Sequence, residues 1–298
     1  MKWKVRAAAL SLAGVGAAVA LAGCSSGKGA AEASPGLTPP PLGAAVAPQS
    51  GREGMLQLPL SAYGSGDEGR VARLQAVRAL ITSCMHGAGY SAYTREDAVD
   101  DGAAAGRPDN ISALPAGAFG YLPQSVAATQ GFHGAQAPVA PKPRRVLAEA
   151  EENASLECGR KAFPQIQDPN QAGAQLVNQL FGESSMAVDR DARVVAATKV
   201  WGDCMSTAGF AGVTPAGLVE QYRRAAATTP VPAPEELAAA KADAACTTTS
   251  NLAGIWFDVL AGYQKQQIAA NQEKLAEYQS TMKDYSEKIA KIVAGPDA

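Results

Sequence analysis

Apolar residues recur at spacings of three and four along two stretches of the chain, 68–88 and 189–208, as they do in an amphipathic helix. In the first stretch they are Val71, Leu74, Val77, Leu80, Ile81 and Cys84; in the second they are Val194, Ala197, Val200, Trp201 and Cys204. Gly89 and Gly209 follow, at positions where glycine commonly ends a helix. Because no credible run of alternating β-branched residues appears, the pattern predicts an all-α fold.

The two helical stretches are copies of one sequence, offset by 120 residues. Between 70–90 and 190–210, eight of 21 positions are identical, among them the Cys-Met pairs that begin at Cys84 and Cys204. Such self-similarity is the signature of a repeated structural unit. We therefore predict two helical pseudo-repeats, the first at 67–183 and the second at 184–298.

The C-terminal stretch carries a longer apolar pattern. Its apolar positions follow a heptad seam that is interrupted only by Asn271. The seam consists of Ile268, Leu275, Tyr278, Met282, Tyr285, Ile289 and Ile292. A single helix from about 235 to 293 would be about 90 Å long. Two arrangements are open: the end of this helix lies back over the first unit, or it projects and pairs with a partner protein of the cell envelope.

The chain begins with the pattern of a bacterial secretory leader. Three basic residues among the first six precede an apolar stretch at 7–21, and Leu-Ala-Gly-Cys follows at 21–24. This tetrapeptide resembles the lipobox of bacterial lipoproteins. The resemblance implies that residues 1–23 are removed and that acyl chains such as palmitate on Cys24 anchor the protein in the lipid bilayer, at the extracytoplasmic face of the cell membrane. The alternative is an ordinary signal peptide with an unrelated cysteine at its end.

The segment that follows, 24–66, is dominated by Ser, Gly, Ala and Pro. It has few large apolar residues whose burial would offset the entropy lost on ordering. We therefore predict a disordered tether between Cys24 and the first unit. No later stretch is apolar for the 18 or more residues that a transmembrane helix needs.

Four further cysteines, Cys84, Cys158, Cys204 and Cys246, are an even number in a chain predicted to be exported, which favours two disulfides. Four cysteines permit three pairings. The repeat makes Cys84 and Cys204 equivalent, and each unit has one more cysteine downstream on a helical stretch. We therefore predict Cys84–Cys158 and Cys204–Cys246. A zinc site or a redox pair would need closely spaced ligands such as CxxC, so we expect no metal.

The region 91–143 is rich in Gly, Pro and Ala and is too long for a simple connection. Tyr121, Phe132 and His133 lie in it and form a candidate ligand loop, since an aromatic loop could stack on a sugar or a cell-wall fragment. A solvated loop histidine is the alternative for His133. The motifs of common enzyme classes do not occur, and we predict no catalytic residue and no cofactor.

The charge of the chain excludes one class of partner. Lys and Arg total 26 against 28 Asp and Glu, and removal of the three basic residues of the leader gives 23 minus 28, or −5. A nucleic-acid-binding protein needs a basic stretch that releases phosphate counterions, and none occurs. We therefore expect no nucleic-acid partner.

Several motifs together resemble an uncharacterised group of actinobacterial lipoproteins. They are the Cys-Met-x-x-x-Gly-aromatic motif at 84–90 and 204–210, the segment 119–133, the run 242–246, and Asn251-Leu252-x-Gly-Ile-Trp256-Phe257 before a Gln-rich helix. The resemblance covers most of residues 70–290 and implies no established activity. Proteins of this kind are similar to those found beside cell-envelope transporters and peptidoglycan-binding proteins.

Three functions are compatible with these features. The first is a membrane-tethered, non-catalytic adaptor or accessory protein of a cell-envelope system, which contacts a partner through its helices. The second is a module that binds a small envelope ligand or glycan through the region 91–143. The third is a hydrolase whose catalytic group is not recognisable in the sequence.

Overall fold

The computed structural model describes residues 36–64, 66–98, 121–132, 145–218, 221–222 and 231–295, with the backbone alone at 66–68. Within these ranges the chain is helical and contains no strand, which confirms the predicted all-α class. The helices are α1 Gly51–Leu56, α2 Gly66–Gly87, α3 Gln124–Gln130, α4 Glu149–Ala162, α5 Gln171–Arg190, α6 Ala192–Thr207, α7 Pro234–Thr249, α8 Leu252–Ala270 and α9 Gln272–Val293. Short 3-10 helices span Pro59–Tyr63 and Phe163–Ile166.

The first helix of each repeat, α2 or α6, ends in the same way. Gly89 and Gly209 have φ angles of 94° and 95°, in the left-handed region that glycine adopts without steric cost. The N–H of the next residue donates to the carbonyl of the methionine beside the cysteine, at 3.0 Å for Tyr90 and 2.9 Å for Phe210. Together with the bonds of the two glycine N–H groups, this is a Schellman motif. The predicted helix ends are confirmed.

Both predicted disulfides are present. Cys84 on α2 is bonded to Cys158 on α4, with a Cα–Cα distance of 5.7 Å. Cys204 on α6 is bonded to Cys246 on α7, with a Cα–Cα distance of 5.6 Å. Each bond therefore joins two packed helices of one repeat.

A second feature is shared by α4 and α7. Three residues before the second cysteine of each pair, a polar side chain pairs with a buried aromatic residue of the same repeat. The Ser155 hydroxyl lies 2.6 Å from the Tyr93 hydroxyl, and Trp201 Nε1–H donates to Asp243 Oδ1 at 3.0 Å. In both repeats a polar side chain at this position of the second helix therefore binds an aromatic residue, although Tyr93 and Trp201 are not equivalent positions of the repeat.

The predicted boundary at 183/184 does not separate two cores. The main core of the second repeat, around Trp201 and Leu260, also contains Met55, Leu122 and Phe132, which precede the boundary. In the other direction, α9 packs along α2 of the first repeat. Each repeat therefore receives segments from outside its own boundaries into its packing. These shared segments hold the two repeats together.

The predicted single helix over 235–293 is wrong, because the chain bends twice. Asn251 is in the left-handed conformation (φ 49°, ψ 30°) between α7 and α8, and asparagine tolerates this conformation better than most residues. At the second bend, Asn271 Nδ2 donates to the carbonyl of Gln267 at 2.9 Å. A side chain therefore satisfies a backbone carbonyl at the end of the helix. The long C-terminal helix is therefore α9, of 22 residues.

The prediction of a disordered tether over 24–66 is wrong for its described part. Residues 36–64 contain α1 and a 3-10 helix, and they place Met55, Leu58 and Leu60 in the core with exposures of 2%, 4% and 3%. Leu60 N–H donates to the buried Gln264 Oε1 at 2.9 Å. Composition misled here because a few apolar residues and several backbone hydrogen bonds are enough to hold the segment.

Candidate functional site

The most unusual contact surface is an extended segment, 37–46, that lies along α8; we call it the strap. Its residue numbers rise as the numbers of its α8 partners fall, so it runs antiparallel to the helix. The paired positions are Thr38 with Gln266, Pro40 with Gly262, Gly43 with Asp258, and Ala45 with Gly254 and Asn251. The strap therefore covers most of the length of α8.

At one end of the strap, the side-chain amide of Gln266 pairs with both backbone groups of Thr38. The Thr38 N–H donates to Gln266 Oε1 at 3.1 Å, and Gln266 Nε2 donates to the Thr38 carbonyl at 2.8 Å. This pattern imitates the pairing of a neighbouring strand, in which backbone groups are recognised whatever side chain they carry.

In the middle of the strap, two charged side chains bind its backbone. The Gly43 N–H donates to Asp258 Oδ2 at 2.6 Å, and an Arg193 NH group donates to the Pro40 carbonyl at 2.7 Å. Arg193 is held by two further bonds to Asp191, of 2.8 and 2.6 Å. Asp191 is also the N-cap of α6, and Tyr263 O–H on α8 donates to it at 3.2 Å. One carboxylate thus connects α6, α8 and the strap.

The charge of Asp191 is stabilised by these bonds. The Arg193 guanidinium, with a smaller contribution from the Tyr263 hydroxyl, lowers the pKa of Asp191 although burial acts in the opposite direction. Burial, followed by the nearby Asp191 charge, raises the pKa of Tyr263. Both shifts favour the ionised carboxylate, which accepts the hydrogen bond, and the protonated phenol, which donates it.

Glycines on α8 allow the strap to lie against the helix backbone. A Cβ atom at Gly262 would lie 2.5 Å from Pro40 Cβ, and one at Gly254 would lie 2.0 Å from the Ala45 carbonyl oxygen. Gly254, Asp258, Gly262 and Gln266 follow one another at intervals of four residues. They therefore form one continuous stripe along α8, which we call the strap stripe. Sequence reasoning missed this signal.

The seam residues of the C-terminal stretch lie against the chain's own helices. Leu275 packs with Leu60 and Leu180, whereas Tyr285 and Ile289 pack with Ala76 of α2. The other members are also covered, fully for Tyr278 and partly for Ile268, Met282 and Ile292. Of the two arrangements that the sequence left open, the structure therefore has the one in which the end lies back over the first unit. The four buried members, Leu275, Tyr278, Tyr285 and Ile289, are not available to a partner protein in this conformation.

In the candidate ligand loop, Phe132 is buried and Tyr121 is half-buried. Phe132 is 3% exposed and stacks on Tyr222, with ring centroids 4.9 Å apart. Its N–H donates to the buried Glu236 Oε1 at 3.0 Å. Tyr121 is half-buried, and its carbonyl accepts a bond of 2.7 Å from the Gly51 N–H. The described part of 91–143 is therefore a packed element, and the prediction of a stacking surface is wrong for Phe132.

A second ionic cluster lies in the first repeat, where the exposed side chain of Arg145 binds two largely buried carboxylates. Arg145 donates to both oxygens of Glu151, at 2.6 and 3.1 Å, and to Asp97 at 3.3 Å. Burial raises the pKa of Asp97, but hydrogen bonds from Thr94 and Arg145 outweigh it and leave the pKa below its usual value. The cluster ties the segment before α4 to the turn after α2.

Two predicted positions, Cys24 and His133, lie outside the described residues. In the part of the chain that the structure describes, no helix is long and apolar enough to cross a membrane. Over the same residues, no three His, Cys, Asp or Glu side chains are grouped as metal ligands. A surface depression on α9 is lined by Asp284, Glu287, Lys288, Lys291 and Ile292.

The strap stripe binds the extended backbone of the strap. Such a contact is suited to attaching and positioning a segment of the chain. The comparisons with known proteins add no activity to this chemistry. No protein-family model, no curated protein and no solved structure matches the chain.

Proposed function

We propose that the protein is a lipid-anchored lipoprotein at the extracytoplasmic face of the cell membrane, and that its helical body is a non-catalytic adaptor or accessory protein of a cell-envelope system. The observation that carries the proposal is the combination of two disulfides with the lipobox-like leader. Disulfides persist in oxidising compartments outside the cytoplasm, so both features point to the same location.

The contacts of the strap support a role in attachment. The chain that follows Cys24 is bound to the helical body from Leu37 onward, through side chains of α6 and α8. A body fixed in this way close to its anchor is suited to contacting other proteins of the membrane surface. We propose no reaction, because the buried carboxylates Asp191, Glu151 and Asp243 are each engaged in bonds that join helices or segments.

The lipid anchor is tested by growing cells with an alkyne-bearing fatty acid and detecting its transfer to the protein. Wild-type protein should become labelled and should sediment with membranes, since two or more acyl chains give stable anchoring. The Cys24→Ser variant should lose both properties. A labelled Cys24→Ser variant, or a wild-type protein that retains Met1 or an unmodified Cys24, would overturn the proposal.

The adaptor role needs a surface that remains free after folding. Leu156 and Phe163 are seven residues apart along α4 and the turn that follows it, and they are 62% and 52% exposed. Crosslinking in intact cells should capture an envelope protein with the wild type and lose it with a Leu156→Glu, Phe163→Glu double variant. Val231→Glu, at another exposed apolar position, is the matched control. Equal recovery from the double variant and the wild type would exclude this surface as the partner site.

A further inference from the structure

The strap determines where the chain leaves the helical body toward Cys24. Its first hydrogen-bonded residue, Thr38, is paired with Gln266, close to the C-terminal end of α8 at Ala270. From Thr38 the strap runs toward the start of α8, where Ala45 meets Asn251. Followed toward Cys24, the described part of the chain therefore leaves the helical body near the C-terminal end of α8.

Binding of the strap also shortens that connection. Cys24 and Gly36 are 12 residues apart, a span of at most about 40 Å for a fully extended chain. Without the strap, the first anchored backbone group would be Gly51, whose N–H donates to the Tyr121 carbonyl. Cys24 and Gly51 are 27 residues apart, a span of at most about 90 Å. Binding of the strap thus reduces the maximum span between Cys24 and the helical body by more than half.

We propose that the strap orients the protein on the membrane, with the C-terminal end of α8, around Lys265 and Gln266, facing the phospholipid surface. The inference rests on the proposed acyl anchor at Cys24. The short connection keeps this end of α8 near the lipid headgroups. The opposite end of α8, beside Thr249 and Asn251, faces away from the lipid surface.

Two exposed side chains can report this orientation. Lys265 lies beside Gln266, whereas Thr249 ends α7 immediately before α8. Single Lys265→Cys and Thr249→Cys variants of the full-length, lipidated protein are labelled with an environment-sensitive fluorophore. They are then bound to vesicles of phosphatidylethanolamine and phosphatidylglycerol that contain a headgroup nitroxide lipid. Because Lys265 lies about 20 Å along α8 from the start of that helix at Leu252, which adjoins Thr249, the label at 265 should be quenched about twofold more strongly.

Variants that displace the strap provide the control. Gly254→Ala places a Cβ against the Ala45 carbonyl, and Gly262→Ala places one against Pro40. Either substitution should lengthen the connection and abolish the difference in quenching between the two labels while the protein stays bound to the vesicles. Gly202→Ala on α6, where a Cβ meets nothing within 4 Å, should preserve the difference.

The outcomes separate this inference from the proposed function. If wild-type protein fails to bind vesicles, the lipid anchor itself is wrong. If it binds but the labels at 265 and 249 are quenched equally, the anchor stands and the orientation by the strap is wrong. If the difference persists in both Gly254→Ala and Gly262→Ala with the helical circular dichroism unchanged, another contact orients the protein, and the inference is likewise overturned.

Discussion

The side chain of Asn251 donates a hydrogen bond of 3.0 Å to the backbone carbonyl of Ala45, and both residues have positive φ angles, 49° and 47°. Among the described residues they are the two non-glycine positions with this backbone. Left-handed backbone costs an alanine roughly 1–2 kcal/mol, so the surrounding contacts must offset it. Asn251 turns the chain from α7 into α8 and at the same point binds the end of the strap.

Gly254 lies one turn after Asn251, and its substitution tests the close approach at this point. In Gly254→Ala the new Cβ would overlap the Ala45 carbonyl, which is backbone and has little freedom to move. We expect a loss of about 1–3 kcal/mol in the free energy of unfolding, as in overpacked cores. Denaturant unfolding gives the loss, and hydrogen exchange at the Gly43 amide should become faster because its bond to Asp258 opens.

Gly202→Ala is the matched control for that substitution, because Gly202 also lies within a helix and has open space around it. Here we expect no loss and a gain of up to about 1 kcal/mol, from the higher helix propensity of alanine. Equal stability of the two variants would mean that the strap does not lie against Gly254.

Asp191 should make the strap sensitive to acid. Its pKa in the folded protein is lowered, chiefly by Arg193, so its contribution to stability is fully present above the unfolded value near 3.8. That contribution is lost as the pH falls through the lower folded value. Asp191→Asn should cost about 2 kcal/mol at neutral pH, because bonds to a charged group are lost, and the loss should shrink below about pH 4. Unfolding curves measured between pH 2 and pH 7 would show this. A loss that stays constant over the range would contradict it.

The sequence predicted the helices and disulfides because both are encoded locally and then repeated. Neighbouring residues alone are enough to interpret the periodicity around Cys84 and Cys204. The same is true of the glycines that follow these cysteines. The pairing with Cys158 and Cys246 followed from the assumption that each repeat is closed on itself.

The strap and the return of α9 could not be predicted in the same way. The strap is held by backbone groups bonded to distant side chains such as Gln266 and Asp258, and composition does not register such bonds. Asn271 was visible as a break in the seam, but the direction of the chain after it depends on the packing of α9 against α2. The four-residue spacing of the strap stripe was the one local signal that a backbone lies against α8.

The two disulfides should contribute similar stability. The Cys84–Cys158 pair is separated by 74 residues and the Cys204–Cys246 pair by 42. Loop entropy then predicts a loss of up to about 4 kcal/mol for each pair, and about 0.5 kcal/mol more for the longer loop. Guanidinium unfolding of the two double Cys→Ser variants measures this. Wild-type stability in either variant would show that its bond does not constrain the unfolded chain.

The seam on α9 should be needed for folding. Tyr278 packs against Gly173, where a Cβ would meet its ring, and the Tyr285 hydroxyl donates to the carbonyl of Ile166. Both tyrosines are buried, with exposures of 5% and 6%. Replacing either with lysine would place a charge in a buried site that packs an aromatic ring. We therefore expect a loss of about 3 kcal/mol in the free energy of unfolding and a fall of about 10 °C in Tm.

Gln279→Lys adds the same side chain one residue after Tyr278, at an exposed position on α9, and should change stability by no more than about 0.5 kcal/mol. Thermal unfolding of the three variants, followed by circular dichroism, separates burial from charge. If the tyrosine variants melt with the control while an envelope partner is lost from crosslinked cells, the seam serves a second protein. That result would contradict the packing of the two tyrosines against the protein's own helices.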